Sequence, residues 1–308
     1  MGKHDDANKI SSKAFLLLLL GGCIVGMGPI LAKVINAPAI SIVLYRMMLP
    51  IPVLFLLKQF RGKESNPAVR KHSTRNILLM GLIGLLFSLD LITFYISLKY
   101  TSVASATLLS NLSPVFIVVG ALIAKRTLSR EIIWPILSMF GLALLCGLQN
   151  QVGSDELLGN MIALLAAVFF TGYILLVNKL GSEYNSIEIM LWSSAAGSIF
   201  LIAICWLFHI DLLIGNYTDL IYLFLMAWGT QLIGQTILTA AISKFPPMLS
   251  SIGILIDPVA AAIFAWLLLG ETLNPVKILG AALILISIYC AYACHPGNAA
   301  GVVRDPPA

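Results

Sequence analysis

Residues 99–129 read KYTSVASATLLSNLSPVFIVVGALIAKRTLS, and residues 244–274 read KFPPMLSSIGILIDPVAAAIFAWLLLGETLN. Laid over one another at an offset of 145, Lys99 falls on Lys244, Tyr100 on Phe245, Ser105 on Ser250, and Thr127-Leu128 on Thr272-Leu273. Each copy carries a proline in the middle of a long apolar run, Pro114 or Pro258, one residue out of step. The match extends beyond these stretches, because Gly26 and Lys33 fall on Gly172 and Lys179 at an offset of 146. The chain reads as one unit written twice.

What surrounds the repeat is almost devoid of charge. Of 308 residues, 59% are hydrophobic and 11% charged, with a mean hydropathy of +0.96. A soluble domain carries about a quarter charged residues. Apolar runs of about 20 residues suit helices that cross a hydrocarbon core of about 30 Å. Ten such runs are expected, at 14–35, 39–57, 76–98, 103–124, 131–148, 157–178, 187–208, 219–241, 248–269 and 275–294. Their length excludes a barrel, whose strands would be about ten residues of alternating polarity. The first run mimics a signal peptide, but it is followed by nine others and reads as a retained helix.

Five runs per copy is an odd number, so the second copy would sit upside-down relative to the first. The predicted fold is an all-α integral membrane protein of ten transmembrane helices in two inverted five-helix repeats, 14–148 and 157–294. A tail at 1–13, an outer linker at 149–156 and a tail at 295–308 complete it. Lys and Arg outside the runs divide fifteen to two if the N-terminus is inside, with only Lys99 and Lys277 on the outer side. That positive-inside bias puts both termini in the cytoplasm. The net charge of +5 therefore reports topology and not a nucleic-acid partner.

Charged groups within membrane helices cost a few kcal/mol each on insertion scales and mark function by default. Three lie well inside: Arg46, Asp90 and Asp257. Counting a rise of about 1.5 Å per residue puts Arg46 and Asp90 at about the same depth below the outer boundary. They are expected to pair or to share an outward-facing vestibule, with a structural ion pair between helices 2 and 3 as the alternative. Asp257 falls near the midplane beside Pro258, as a proton-coupling or cation site or as a cap for backbone groups freed by the proline. Trp228, Gln231 and Gln235, at spacings of three and four, form a polar stripe suited to a zwitterion or a heteroaromatic ring, with amide hydrogen bonds between helices as the alternative. Asn111, beside Thr107 and Ser110, and Tyr173, near Thr171 and Asn178, are further substrate-binding candidates. Lys33, Lys99 and Lys244 read as interfacial anchors.

Cys23, Cys146, Cys205, Cys290 and Cys294 have no metal-binding spacing, and His4, His72, His209 and His295 lie in loops or at helix ends. Neither a metal, nor a cofactor, nor an enzyme activity is expected.

The segment YTSVASATLLSNLSPVF with its following TLS, and the later DPV and WLLLGETLNPVKILGAALI, resemble the EamA domains of the drug/metabolite transporter superfamily. The resemblance spans residues 14 to 294 as two units. One difference is Lys125-Arg126 in the first unit where the second has Gly270-Glu271; another is a first helix without a membrane glutamate. The family implies a central cavity lined by helices 1, 3, 4, 6, 8 and 9, and export or uptake across a bacterial inner membrane. The expected function is secondary transport of amino acids or similar small polar metabolites by alternating access, with a proton as a candidate coupling ion. A nucleotide-type solute such as S-adenosylmethionine, or a non-transport scaffold, is the alternative. The protein is expected as a monomer or homodimer in the lipid bilayer.

Overall fold

The computed structural model describes residues 12–61, 74–124, 132–147, 154–212, 214–270 and 272–295. The N-terminal tail before Ser12, the tail after His295, most of the linker, the basic residues between 62 and 73, Lys125-Arg126 and Glu271 lie outside the described residues. Among those described the secondary structure is helical throughout. The first copy holds α1 (Ser12–Val25), α2 (Gly28–Val34), α3 (Ala39–Met48), α4 (Ile51–Arg61), α5 (Thr74–Ser97), α6 (Val103–Ser110), α7 (Ser113–Ile123) and α8 (Ile133–Cys146). The second holds α9 (Ser154–Leu180), α10 (Ser186–Leu207) and α11 (Tyr217–Leu225), then a π-helix (Met226–Gln235) leading into α12 (Thr236–Ile242). It ends with α13 (Pro247–Ile254), α14 (Ile256–Leu269) and α15 (Pro275–Ala293).

Among the described residues, nine segments of 19 to 26 residues are long and apolar enough to cross a membrane, several of them built from two helices in line. Of the ten expected runs, the fifth is the exception: α8 has 14 residues. It nevertheless lies antiparallel along α15, with Gly141 against Gly280 and Ile284, and Leu145 against Gly280.

Prolines account for the in-line breaks. Helices α1, α6 and α13 end at Val25, Ser110 and Ile254, each four residues before a proline: Pro29, Pro114 and Pro258. Proline has no N–H to give that carbonyl, and its ring collides with it. At the position of the second copy that corresponds to Pro29 stands Leu175, and α9 runs unbroken for 27 residues.

The start of α1 is tied to the end of α15 by Ser12 Oγ and Tyr292 Oη at 3.2 Å, which defines a proximal face carrying Ser12 and His295. Helix α9 ends at that face, where Asn178 reaches the carbonyls of Ile242 and Phe245. The leading helices of the two copies therefore run in opposite directions. Around the outside, large side chains such as Phe60, Leu78, Ile123, Trp206 and Tyr289 stay exposed. A soluble monomer rarely exposes apolar patches beyond a few hundred Å². The chain is a multi-pass membrane protein.

Close helix contacts use small residues, as membrane packing requires. Gly22 and Gly26 seat the end of α1 on α14, where a Cβ at Gly26 would come within 2.6 Å of the Asp257 carbonyl oxygen. Gly141 likewise meets α15. Gly147 caps α8 with φ of 70°, and a Cβ there would meet nothing. A Cβ at Gly280 would lie 2.4 Å from the Leu145 backbone nitrogen and 2.6 Å from the Gly141 carbonyl oxygen. Backbone atoms cannot rotate away, so Gly280→Leu should destabilise by about 1–3 kcal/mol, as overpacking does. Thermal unfolding in detergent is expected to show a lower midpoint for that variant and an unchanged one for Gly120→Leu, whose position is open.

Candidate functional site

The α1–α2, α6–α7 and α13–α14 breaks converge on a cavity of about 450 Å³ between the two copies. Non-helical backbone at membrane depth is tolerated only where it is covered by protein or lines a wet cavity. Here Pro29, Asn111 and Pro258 all line it. At one end the walls reach exposed Val103 and Thr272, with Lys33 and Lys277 also on the lining. At the other end Gln235, Leu238 and Ile254 are 1–2% exposed. The cavity opens on the distal face, opposite Ser12 and His295, and ends blind toward the proximal one.

All three intramembrane charges line it: Arg46 from α3, Asp90 from α5, and Asp257 from the first turn of α14. Arg46 is 3% exposed, its Nε donating to Gln231 Oε1 at 3.0 Å and its guanidinium carbon 5.8 Å from the centre of the Phe87 ring. Among the described residues it forms no salt bridge with Asp90 or Asp257. Arg46 and Asp90 thus line the same cavity without a salt bridge between them. Asp257 is the acidic residue in the first turn of α14, whose N-cap position is held by Leu255.

Of the polar candidates, Asn111 and Gln235 line the cavity. Asn111 Nδ2 donates to the Thr107 carbonyl at 2.9 Å, covering a group at the end of α6. Gln235 Nε2 donates to Tyr173 Oη at 2.8 Å, and Tyr173 Oη lies 2.9 Å from Thr239 Oγ1. Tyr173 is 1% exposed, so it stands behind the wall and holds Gln235. Gln231 is fully buried, and its Oε1 accepts the hydrogen bond from Arg46 Nε. The hydroxyls of Thr93 and Ser97, three and seven residues after Asp90 on α5, bond carbonyls of their own helix. This is common for Ser and Thr and leaves Asp90 alone on that face.

Trp228 is a correction. It does not line the cavity; it is 46% exposed and packs edge-on against Phe224, 6.4 Å between ring centres. The expectation assumed an α-helix, whereas Met226–Gln235 is a π-helix. Hydrogen bonds to the fifth residue widen the turn, and each residue then advances less than the usual 100° or so. A step of four still closes about one turn, which keeps Gln231 and Gln235 together. A step of three falls well short, and Trp228 swings outward.

Sequence reasoning missed the cavity's aromatic wall, Phe87, Phe94, Tyr95 and Phe170, and the position of Lys277. Inside an apolar helix a phenylalanine that faces a void has no mark distinguishing it from one in the core, and Lys277 at a helix start looks like an anchor.

The family model described as "EamA-like transporter family" matches residues 12–147 and 157–293. Among curated relatives, the "Pseudopaline exporter CntI" of Pseudomonas aeruginosa strain UCBPP-PA14 is 24% identical over 251 residues, 81% of this chain and 84% of that one. The "Uncharacterized inner membrane transporter YicL" of Salmonella typhimurium is 26% identical over 203 residues, 64% of this chain and 66% of its own. A solved crystal structure with 15% identity superposes with a TM-score of 0.75, covering 92% of this chain and 99% of the other. Two tandem family matches that fill the chain, on a helical membrane fold with a charged central cavity, make it a member of the EamA-like transporter family, a membrane transporter.

Proposed function

We propose that the protein is a secondary transporter of a small zwitterionic metabolite of amino-acid type, with Arg46, Asp90 and Asp257 as its substrate contacts. The observation that carries this reading is the coexistence of both charge signs, without salt bridges between them, in a cavity open at one face. Buried charges are tolerated when something compensates them. A substrate carboxylate suits the guanidinium, whose planar fork matches it. An ammonium suits the two aspartates. Asn111 and Gln235 supply further polar contacts.

The same reading takes α8 as a tenth crossing and the two copies as inverted five-helix repeats. Its proximal face is cytoplasmic, because Lys58, Lys179 and Lys244 lie at helix ends there. In bacteria the inner membrane is the matching location, and the name of the Pseudomonas relative favours export of a metabolite. Asp257 is assigned proton coupling. The site then loads from outside in the conformation described and from the cytoplasm in its counterpart, as inverted repeats allow.

A ligand that binds only the folded state raises its apparent stability. Purified protein should be stabilised by at least one zwitterionic amino acid or derivative in a panel that also contains nucleosides and cationic drugs. Arg46→Lys and Asp257→Asn should weaken that binding at least tenfold, about 1.4 kcal/mol. Trp228→Ala should leave it within twofold. Stabilisation by nucleosides or cationic drugs alone, or by amino acids regardless of Arg46 and Asp257, would refute the assignment.

Proton coupling has its own check. In proteoliposomes, Asp257→Asn should remove the dependence of accumulation on an imposed pH gradient, while exchange of solute for solute persists once the solute concentration is raised to match the weaker binding. Gradient-driven accumulation by that variant would rule the coupling role out.

A further inference from the structure

The two copies differ where their leading helices end, and the difference has a direction. At the proximal face the end of α9 is fastened to the turn between α12 and α13. Asn178 Nδ2 donates to the carbonyls of Ile242, at 3.1 Å, and of Phe245. Ser250 Oγ lies 3.4 and 3.5 Å from the same two oxygens. Gly181 lies so close that a Cβ on it would come within 2.0 Å of the Ser243 Cβ.

The repeat gives each of these groups a mate at the distal face. Ile242 and Phe245 correspond to Ser97 and Tyr100, Ser250 to Ser105, and Asn178 to Ala32. There the fastening is missing. Alanine has no amide to offer, and Ser105 turns to Ser102, its oxygen 3.0 Å from Ser102 Oγ. The Ser97 carbonyl accepts from the N–H groups of Tyr100 and Thr101, as the Ile242 carbonyl accepts from that of Phe245, so what the distal face lacks is the side-chain amide. Helix α2 stands off as a wall of the open cavity. Its break from α1 at Gly26 and Met27, absent from α9, allows it to turn as a short rigid piece.

Building on the transport reading above, we propose that Asn178 is the latch of the proximal face. We further propose that its release is coupled to closure of α2 onto residues 97–101 at the distal face. The lack of an amide at Ala32 explains the conformation described: the copy with the latch is shut, and the copy without it is open. The two closed contacts are alternatives, since each requires its copy to adopt the geometry the other holds.

Spin-label distances test this without any ligand. In a background free of native cysteines, labels at Val34 and Tyr100 report the distal gap, and labels at Ser182 and Lys244 the proximal one; all four positions are exposed. Two variants weaken the proximal seal by unrelated means. Asn178→Ala removes its hydrogen bonds, and Gly181→Ala wedges it through the Ser243 collision. For each, the Ser182–Lys244 distance should lengthen and the Val34–Tyr100 distance shorten in the same, several-fold larger, fraction of molecules. A proximal gap that opens while the distal one stays put would overturn the coupling. Folded variants that move neither distance would overturn the latch. Because either variant breaks the same seal, failure of one to fold leaves the other to decide. None of these outcomes bears on solute binding, which the stabilisation panel reads separately.

Discussion

A peptide carbonyl that loses its helical partner inside a hydrocarbon layer has no water to turn to, and much of this structure follows from where that happens. Pro29, Pro114 and Pro258 each end a helix four residues earlier, inside the membrane. Such breaks are sustainable only against protein or a wet cavity. All three prolines' breaks contribute to one cavity, so the positions of three prolines in the sequence set where that cavity lies. The Gly22 and Gly26 contact with α14 brings two of these breaks together, at the level of Asp257.

Polar groups around the cavity divide by what they touch. Gln231 and Tyr173 are fully buried and hold other residues in place, Arg46 through its Nε and Gln235 through its amide. Arg46, Asp90, Asp257, Asn111 and Gln235 present themselves to the void. The π-helix is what allows one segment to supply both kinds, since its wide turn keeps Gln231 and Gln235 on one side while Trp228 stays exposed on its outer face.

Much of this was legible in the amino-acid sequence. The repeat, the apolar runs and the three charges stand out because membrane segments contain so little else that is polar. The membrane transporter family follows from the same residues. What was not legible depends on phase and depth. Trp228 was placed on the Gln231 face by α-helical spacing, and no local signal announces a π-turn. The fifth run looked as long as its neighbours, yet α8 has 14 helical residues among those described. Gly147 carries a positive φ that spacing does not reveal. The aromatic wall and Lys277 were invisible because facing a cavity and facing a core look alike in composition.

The central claim is that solute reaches the three charges through a cavity with one open face. Thr107 lines that cavity on α6 and is partly exposed, so Thr107→Cys in a cysteine-free background offers a reporter. The measurement is its rate of reaction in oriented proteoliposomes with a membrane-impermeant thiol reagent, with and without a solute that stabilises the protein. The account predicts faster labelling from the distal face than from the proximal one, slowed by the solute. Labelling that is faster from the proximal face, or that the stabilising solute leaves untouched, would contradict it.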